Sequence, residues 1–293
     1  MQNKIIIVSV LMTCTIFLSG MNKALDLPVI EQHKQLASHQ AKQNHHACMT
    51  TYINQWITEL AKQEDFSHFA NASFEISAVG PGTPSWIAWL TNHHNETIGY
   101  IIIHATEDGK FILGEYGKGE FTQLNSDEFT FLYYDPLHAI YSNSASANSD
   151  NFEAYYIEPF QLEEYPLHDS SLQAQLHPEV TTYQLAESDA VITASQSTNY
   201  FSPYERLPWL SSKPLNKQFE EDVNIETFIE FDEHIFVTAH IWNEAVFASF
   251  SVTAFHEWDE NILYLGLQQE DSSIIRYIPF EFLLDNALFY YSS

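Results

Sequence analysis

Thr97-Ile98-Gly99-Tyr100-Ile101-Ile102-Ile103-His104 leads through Asp108-Gly109 into Lys110-Phe111-Ile112-Leu113-Gly114-Glu115-Tyr116. Two β-branched and aromatic runs joined across an Asp-Gly dipeptide read as a hairpin, because that dipeptide tolerates the positive φ of a tight turn. Just upstream, Ser85-Trp86-Ile87-Ala88-Trp89-Leu90 is closed by the polar turn Asn92-His93-His94-Asn95-Glu96. Before it, Phe74-Glu75-Ile76-Ser77-Ala78-Val79 alternates and stops at Gly80-Pro81-Gly82. Further back, Tyr52, Ile53, Trp56, Ile57 and Leu60 make the apolar stripe of an amphipathic helix that starts at Thr50 or Thr51 and ends near Gln63. A helix followed by a four-stranded antiparallel meander predicts an α+β unit in which the helix covers one sheet face.

Residues 142–151, Ser-Asn-Ser-Ala-Ser-Ala-Asn-Ser-Asp-Asn, read as a polar linker between a domain at 25–141 and a second at 152–293. Strand-like pieces fall at 153–160 and 180–185. Pro203, Pro208 and Pro214 mark an irregular stretch in which Tyr204, Leu207, Trp209 and Leu210 are expected to pin a loop to the core. Phe228 to Trp242 reads as one long strand or a bent pair, turned by Asn243-Glu244 into Val246–Phe255. Ile262–Leu267 and Ile274–Ile278 follow, and Pro279 can open a final helix through Leu288. The expectation is a second, mainly antiparallel sheet closed by a C-terminal helix. No internal repeat stands out at solenoid or propeller periods.

Lys4, the apolar run Ile5–Leu18 and the small residues up to Ala24 describe a secretory signal peptide over 1–24. The run is short of the roughly 20 residues a spanning helix needs, so an uncleaved N-terminal anchor is the alternative. Export places the protein outside the cell or in the cell envelope. Of the two cysteines, Cys14 lies in this segment, which leaves Cys48 without an internal disulfide partner.

Formal net charge is −28, and residues 111–190 carry one basic side chain, Lys118, against 14 acidic ones. Nucleic acid and anionic membrane surfaces both demand a cationic footprint that this chain lacks. Nine glycines are too few for a glycine-rich phosphate-binding fold.

Cys48, near the helix start, could be nucleophilic, with Gln43 upstream as an oxyanion donor and His234, His240 or His256 as the base. The residues that follow, Met49-Thr50-Thr51, lack the small, glycine-rich run that surrounds such a nucleophile. Asp232, His234 and His240 share strand parity, with Glu230 continuing the polar face. His33, His39, His45-His46 and His93-His94 lack the spacing of a zinc site, since adjacent histidines diverge on helix or strand. Neither a metal nor a cofactor is expected.

The stretch Gly99–His104 with Gly109–Phe121 resembles a hairpin in the propeptides of streptopain-type cysteine peptidases and the small α+β modules of the PepSY or cystatin-like kind. With the preceding helix the likeness extends over residues 50–121, and it implies a module that binds or inhibits. Pro203–Leu210 and the ending Arg276-Tyr277-Ile278-Pro279 … Phe289-Tyr290 are similar to uncharacterised exported proteins of endospore-forming Gram-positive bacteria. In some of those the second half is reminiscent of a papain-like peptidase sheet, but Ala245-Val246-Phe247-Ala248 offers no histidine where that likeness implies one. Three readings follow: a secreted acidic protein that binds a protein or peptide at the cell surface, a papain-like cysteine peptidase or inactive relative, and a cation-binding envelope protein.

Overall fold

The computed structural model describes residues 46–79, 84–106, 108–124, 127–143, 156–167, 183–216, 219, 225, 229, 234–259, 261–270 and 272–292. The expected signal segment 1–24, Gln43, Asp232 and all of the expected linker beyond Asn143 lie outside them. Residues 46 and 47 are helical, and from Cys48 onward the chain forms one compact unit. That unit mixes helix with antiparallel sheet and is α+β.

The first helix runs to residue 60 and buries Ile53, Trp56, Ile57 and Leu60, the stripe that the spacing predicts. It stops short of Gln63 because the next N–H groups turn back by three residues: Lys62 donates to the Glu59 carbonyl and Gln63 to that of Leu60. A 3-10 helix at Glu64–Asn71 follows and drives Phe66 and Phe69 into the core, edge to face with centroids 5.0 Å apart.

Strands β1 (Ser73–Ala78), β2 (Ser85–Thr91), β3 (Thr97–Ala105) and β4 (Phe111–Lys118) form the expected meander. Its register shifts between Ile102 and Ile103, whose partners are Glu115 and Leu113. Gly114 is the extra residue of this bulge. By offsetting the alternation it sends Leu113 and Tyr116 to the helix-covered face and Glu115 to the other.

Strands β5 (Thr130–Asp135), β6 (His138–Ser142), β7 (Tyr156–Ile157) and β8 (Glu164–Tyr165) make a small four-stranded sheet. The Asp135 carboxylate accepts N–H bonds from Leu137 and His138 and closes the β5–β6 turn. Of the strand expected at 153–160, residues 156–157 form β7, after which Glu158 draws the N–H groups of Phe160 and Gln161 onto its carboxylate and bends the chain. Residues 183–185 of the piece expected at 180–185 are not in a strand, and 153–155 and 180–182 lie outside the described residues.

Then come β9 (Ile192–Ser197), β10 (His234–Ile241), β11 (Val246–Trp258), β12 (Ile262–Gln268), β13 (Ile275–Pro279) and β14 (Leu288–Ser292). Ile229 is helical, so the long strand expected from Phe228 begins only at His234. The helix at Phe280–Asn286 ends before Leu288, and the chain leaves it as β14 to pair with β10. Between Pro203 and Pro214 the prolines at 203 and 208 are buried. Of the four residues expected to pin the loop, Trp209 is half-buried with its ring 5.4 Å from Phe247, whereas Tyr204, Leu207 and Leu210 are exposed.

The second meander is not a separate sheet. β13 pairs antiparallel with β4, Tyr277 opposite Tyr116 and Arg276 opposite Gly117. The strand order is β1-β2-β3-β4-β13-β12-β11-β10-β14, with β9 alongside the far half of β11. Most of β4 is buried, so leaving its outer N–H and C=O groups unpaired there would cost more than the long closure needed to reach β13. On either side of this seam a four-stranded meander runs inward from its edge, β14 extending the second, and Phe219, Ile225 and Ile229, helical in front of β10, pack on the second meander. The small sheet packs on the face away from the first helix, with Phe131 on Trp89 at 5.9 Å and Tyr134 on Trp242 at 5.7 Å, and there it shares a core with Ile225 and Ile229.

Candidate functional site

On the helix-covered face the seam gathers polar groups inside an aromatic shell. Tyr116 and Tyr277 stack with centroids 5.0 Å apart and planes 8° from parallel. His256, from β11, lies 4.5 Å from the Tyr277 ring and 5.4 Å from Phe66, and is 2% exposed. Its Nδ1 is 2.8 Å from the Tyr116 hydroxyl, which also accepts the Trp258 indole N–H at 3.2 Å. The Lys118 ammonium pairs with Asp65, whose Oδ2 also accepts the Tyr277 hydroxyl at 3.2 Å. Burial works against the Asp65 charge, but the Lys118 hydrogen bond and ammonium outweigh it and hold the carboxyl below its ordinary value. Burial pushes His256 down to about 3, so it is neutral at physiological pH.

The proton on that neutral ring can be placed by counting donors. Tyr116 already receives Trp258, and the one acceptor in reach of its own proton is His256 Nδ1. Tyr116 therefore donates to Nδ1, and the imidazole proton sits on Nε2. Among the described residues no acceptor meets that N–H, and it is not sealed in the core. A cleft of about 580 Å³ reaches His256 between Gln63, Glu64, Asp65, Ser195, Gln196 and Ser197. Ser195 is the cross-strand partner of His256 and donates to Gln63 at 2.7 Å.

The other expected residues lie elsewhere. Cys48 is exposed on the first helix, one turn before Tyr52. His240 is exposed on β10 with its ring 5.1 Å from Phe247, and His234 stacks on Phe201 at 4.5 Å. His93 and His94 share an exposed turn. Among the described residues no hydrogen bond joins Cys48 to an imidazole, and no group of three His, Cys, Asp or Glu is placed to hold a metal. Sequence reasoning singled out His256 but missed Asp65, Gln63 and Ser195, whose local sequence carries no chemical signature.

On the opposite face Arg276 donates to both Glu115 oxygens at 3.0 and 3.1 Å, to the Tyr100 hydroxyl at 3.2 Å and to the Pro136 carbonyl. Phe160 lies 4.0 Å beneath the guanidinium. Tyr100 donates to Glu115 at 2.6 Å. This cluster reaches from the seam to the β5–β6 turn and fastens the small sheet.

The two ends of the long sheet differ. Beyond β14, Leu215 donates to the Phe289 carbonyl, and Asn216 bonds the Phe289 N–H and the Ala287 carbonyl. That end is covered. β1 pairs only with β2, over six residues without a register shift. Val79 N–H donates to the Ser85 carbonyl, which fixes the parity: the odd residues of β1 face β2, and the N–H and C=O groups of Phe74, Ile76 and Ala78 point outward. Among the described residues nothing pairs with them. Phe74 and Ile76 lean on the helix-side core, while Ser73, Glu75 and Ser77 are exposed on the other side.

No protein-family model, curated protein or solved structure matches this chain.

Proposed function

We propose that this chain is an exported, non-enzymatic binding protein that docks an extended segment of a protein or peptide against β1 at the cell surface. The observation that carries the reading is the outer edge of β1. Proteins blunt such edges with proline, lysine, bulges or a covering segment. β1 has none of these among its residues, Ser-Phe-Glu-Ile-Ser-Ala, and it is in continuous register with β2. An added strand would gain main-chain bonds from Phe74, Ile76 and Ala78, with side-chain pockets on alternate residues setting its sequence. Apolar residues would extend the Phe74–Ile76 stripe, and a basic residue would face Glu75. Two copies of a chain with net charge −28 repel one another, which favours a foreign, cationic strand over self-pairing.

The peptidase alternative requires a thiol and an imidazole within hydrogen-bond reach. Among the described residues no hydrogen bond joins Cys48 to an imidazole, and His256 Nδ1 is taken by Tyr116.

Panning a library of extended peptides on the immobilised protein tests the reading. Enriched sequences should alternate apolar with basic residues. Binding should vanish in Ala78→Pro, which removes an outward N–H and no ladder bond, with the melting temperature kept. Peptides that bind wild type and Ala78→Pro equally would refute docking at this edge.

A further inference from the structure

The cleft over His256 is separate from β1, and its chemistry does not depend on that reading. We infer that it is a binding site for an uncharged ligand rich in hydroxyl or carboxamide groups, with His256 Nε2–H as its anchoring donor. Three features carry this. Nε2–H belongs to a side chain 98% removed from solvent by the 2% exposure of His256, and it points to the cleft with no protein acceptor among the described residues. Opening on the cleft, this donor is within reach of an oxygen supplied by solvent or by a ligand. The wall then decides which oxygen. Glu64 and Asp65 oppose a carboxylate or phosphate, and a cation has no lone pair to offer an N–H donor. A neutral hydroxyl or amide oxygen satisfies Nε2–H, and the hydrogens of the same ligand can go to the Ser195 oxygen, Glu64 or Asp65.

The rest of the wall fits that class. Gln63 accepts from Ser195 through its carbonyl and so turns its amide N–H groups to other acceptors. Ser197 adds a second hydroxyl on the same strand parity as Ser195. A volume of about 580 Å³ is in the range of small-molecule sites and suits a monosaccharide or disaccharide.

The test begins with long-range proton–nitrogen NMR of the full folded protein. At neutral pH His256 should show the Nε2–H tautomer. Glucose, acetamide and N-acetylglucosamine are then titrated, with acetate and methylammonium as charged counterparts. A saturable shift of the His256 nitrogens with a neutral probe and none with the charged ones is expected. Response to glucose alone would assign a polyol, and response to acetamide alone a carboxamide. Ser195→Leu, at an exposed position, should weaken binding by at least about tenfold while leaving the tautomer and melting temperature unchanged. An Nδ1–H tautomer, an imidazolium, or no saturable response to any neutral probe would overturn the proposal, the last meaning that the cleft holds water only.

Discussion

Tyr116 and Tyr277 occupy paired positions on β4 and β13 and stack with their rings 8° from parallel, so the two meanders are joined by matching tyrosines. On the reverse side of the same two strands, the preceding residues Glu115 and Arg276 form the buried ion pair. The seam is thus held by aromatic stacking on one face and charge on the other.

The ion pair should be worth little by itself and much when half-broken. Arg276→Met leaves Glu115 fully buried without its cation, and should cost about 3–5 kcal/mol in denaturant unfolding. The double variant Glu115→Gln with Arg276→Met keeps an acceptor for Tyr100 and removes both charges. It should recover most of that loss, and a strictly additive double variant would show that the pair is not coupled.

Gly99 marks where the 3-10 helix presses on the sheet. A Cβ there would fall 2.4 Å from Phe69 Cζ and 2.7 Å from the Gly117 carbonyl, and Phe69 is fully buried and cannot retreat. Gly99→Ala should destabilise by roughly 1–3 kcal/mol, whereas Gly109→Ala should cost only its positive-φ strain, because open space surrounds that position. Thermal melts compare the two.

Stability should fall with acid below pH 6.5 for a definite reason. Burial lowers His104 from 6.5 to about 4 and His256 to about 3. Unfolding therefore takes up protons at both, and their stabilising contribution, present above 6.5, is lost as pH drops toward those values. Glu158 acts in the other direction. Burial raises it from 4.5 to about 7, so the folded state binds its proton first and gains stability as pH falls from 7 to 4.5. Two histidines against one carboxyl leave these groups taking up about one net proton on unfolding between pH 6 and 5. His104→Gln should reduce the measured proton uptake of unfolding by about one in that window, and an unchanged value would contradict a neutral, buried His104.

The same sign gives a stabilising substitution. Glu158→Gln removes a carboxylate that costs free energy when ionised inside the protein, and its amide oxygen can still accept the N–H groups of Phe160 and Gln161. The variant should exceed wild type by up to about 3 kcal/mol at pH 8 and match it near pH 4. Urea titrations at the two pH values decide it.

The sequence made local matters legible and left distant ones obscure. β1 to β4 were readable because each run is bounded by its own turn residues and alternates within itself. The seam was not, because Gly117 and Arg276 stand far apart in the chain and neither Glu-Tyr-Gly-Lys nor Ile-Arg-Tyr announces a partner. The final helix was expected to run through Leu288 and no strand was expected after it, since the reason for Leu288–Ser292 to form β14 is the outer side of β10. The β5–β6 hairpin had a signal that was overlooked: Phe131-Leu132-Tyr133-Tyr134 and Ala139-Ile140-Tyr141 flank Asp135-Pro136. At the candidate site His256 was a nameable base, but its tautomer depends on Tyr116 and Trp258, which only the tertiary fold brings to it.

The central functional claim concerns the outer edge of β1, and amide hydrogen exchange reads that edge directly. In the free protein the outward amides of Phe74, Ile76 and Ala78 should exchange fast while those of Glu75 and Ser77 are protected by β2. A selected basic, extended peptide at saturation should slow the three outward amides by about a hundredfold or more. Unchanged exchange at all three, with the peptide demonstrably bound, would contradict the account.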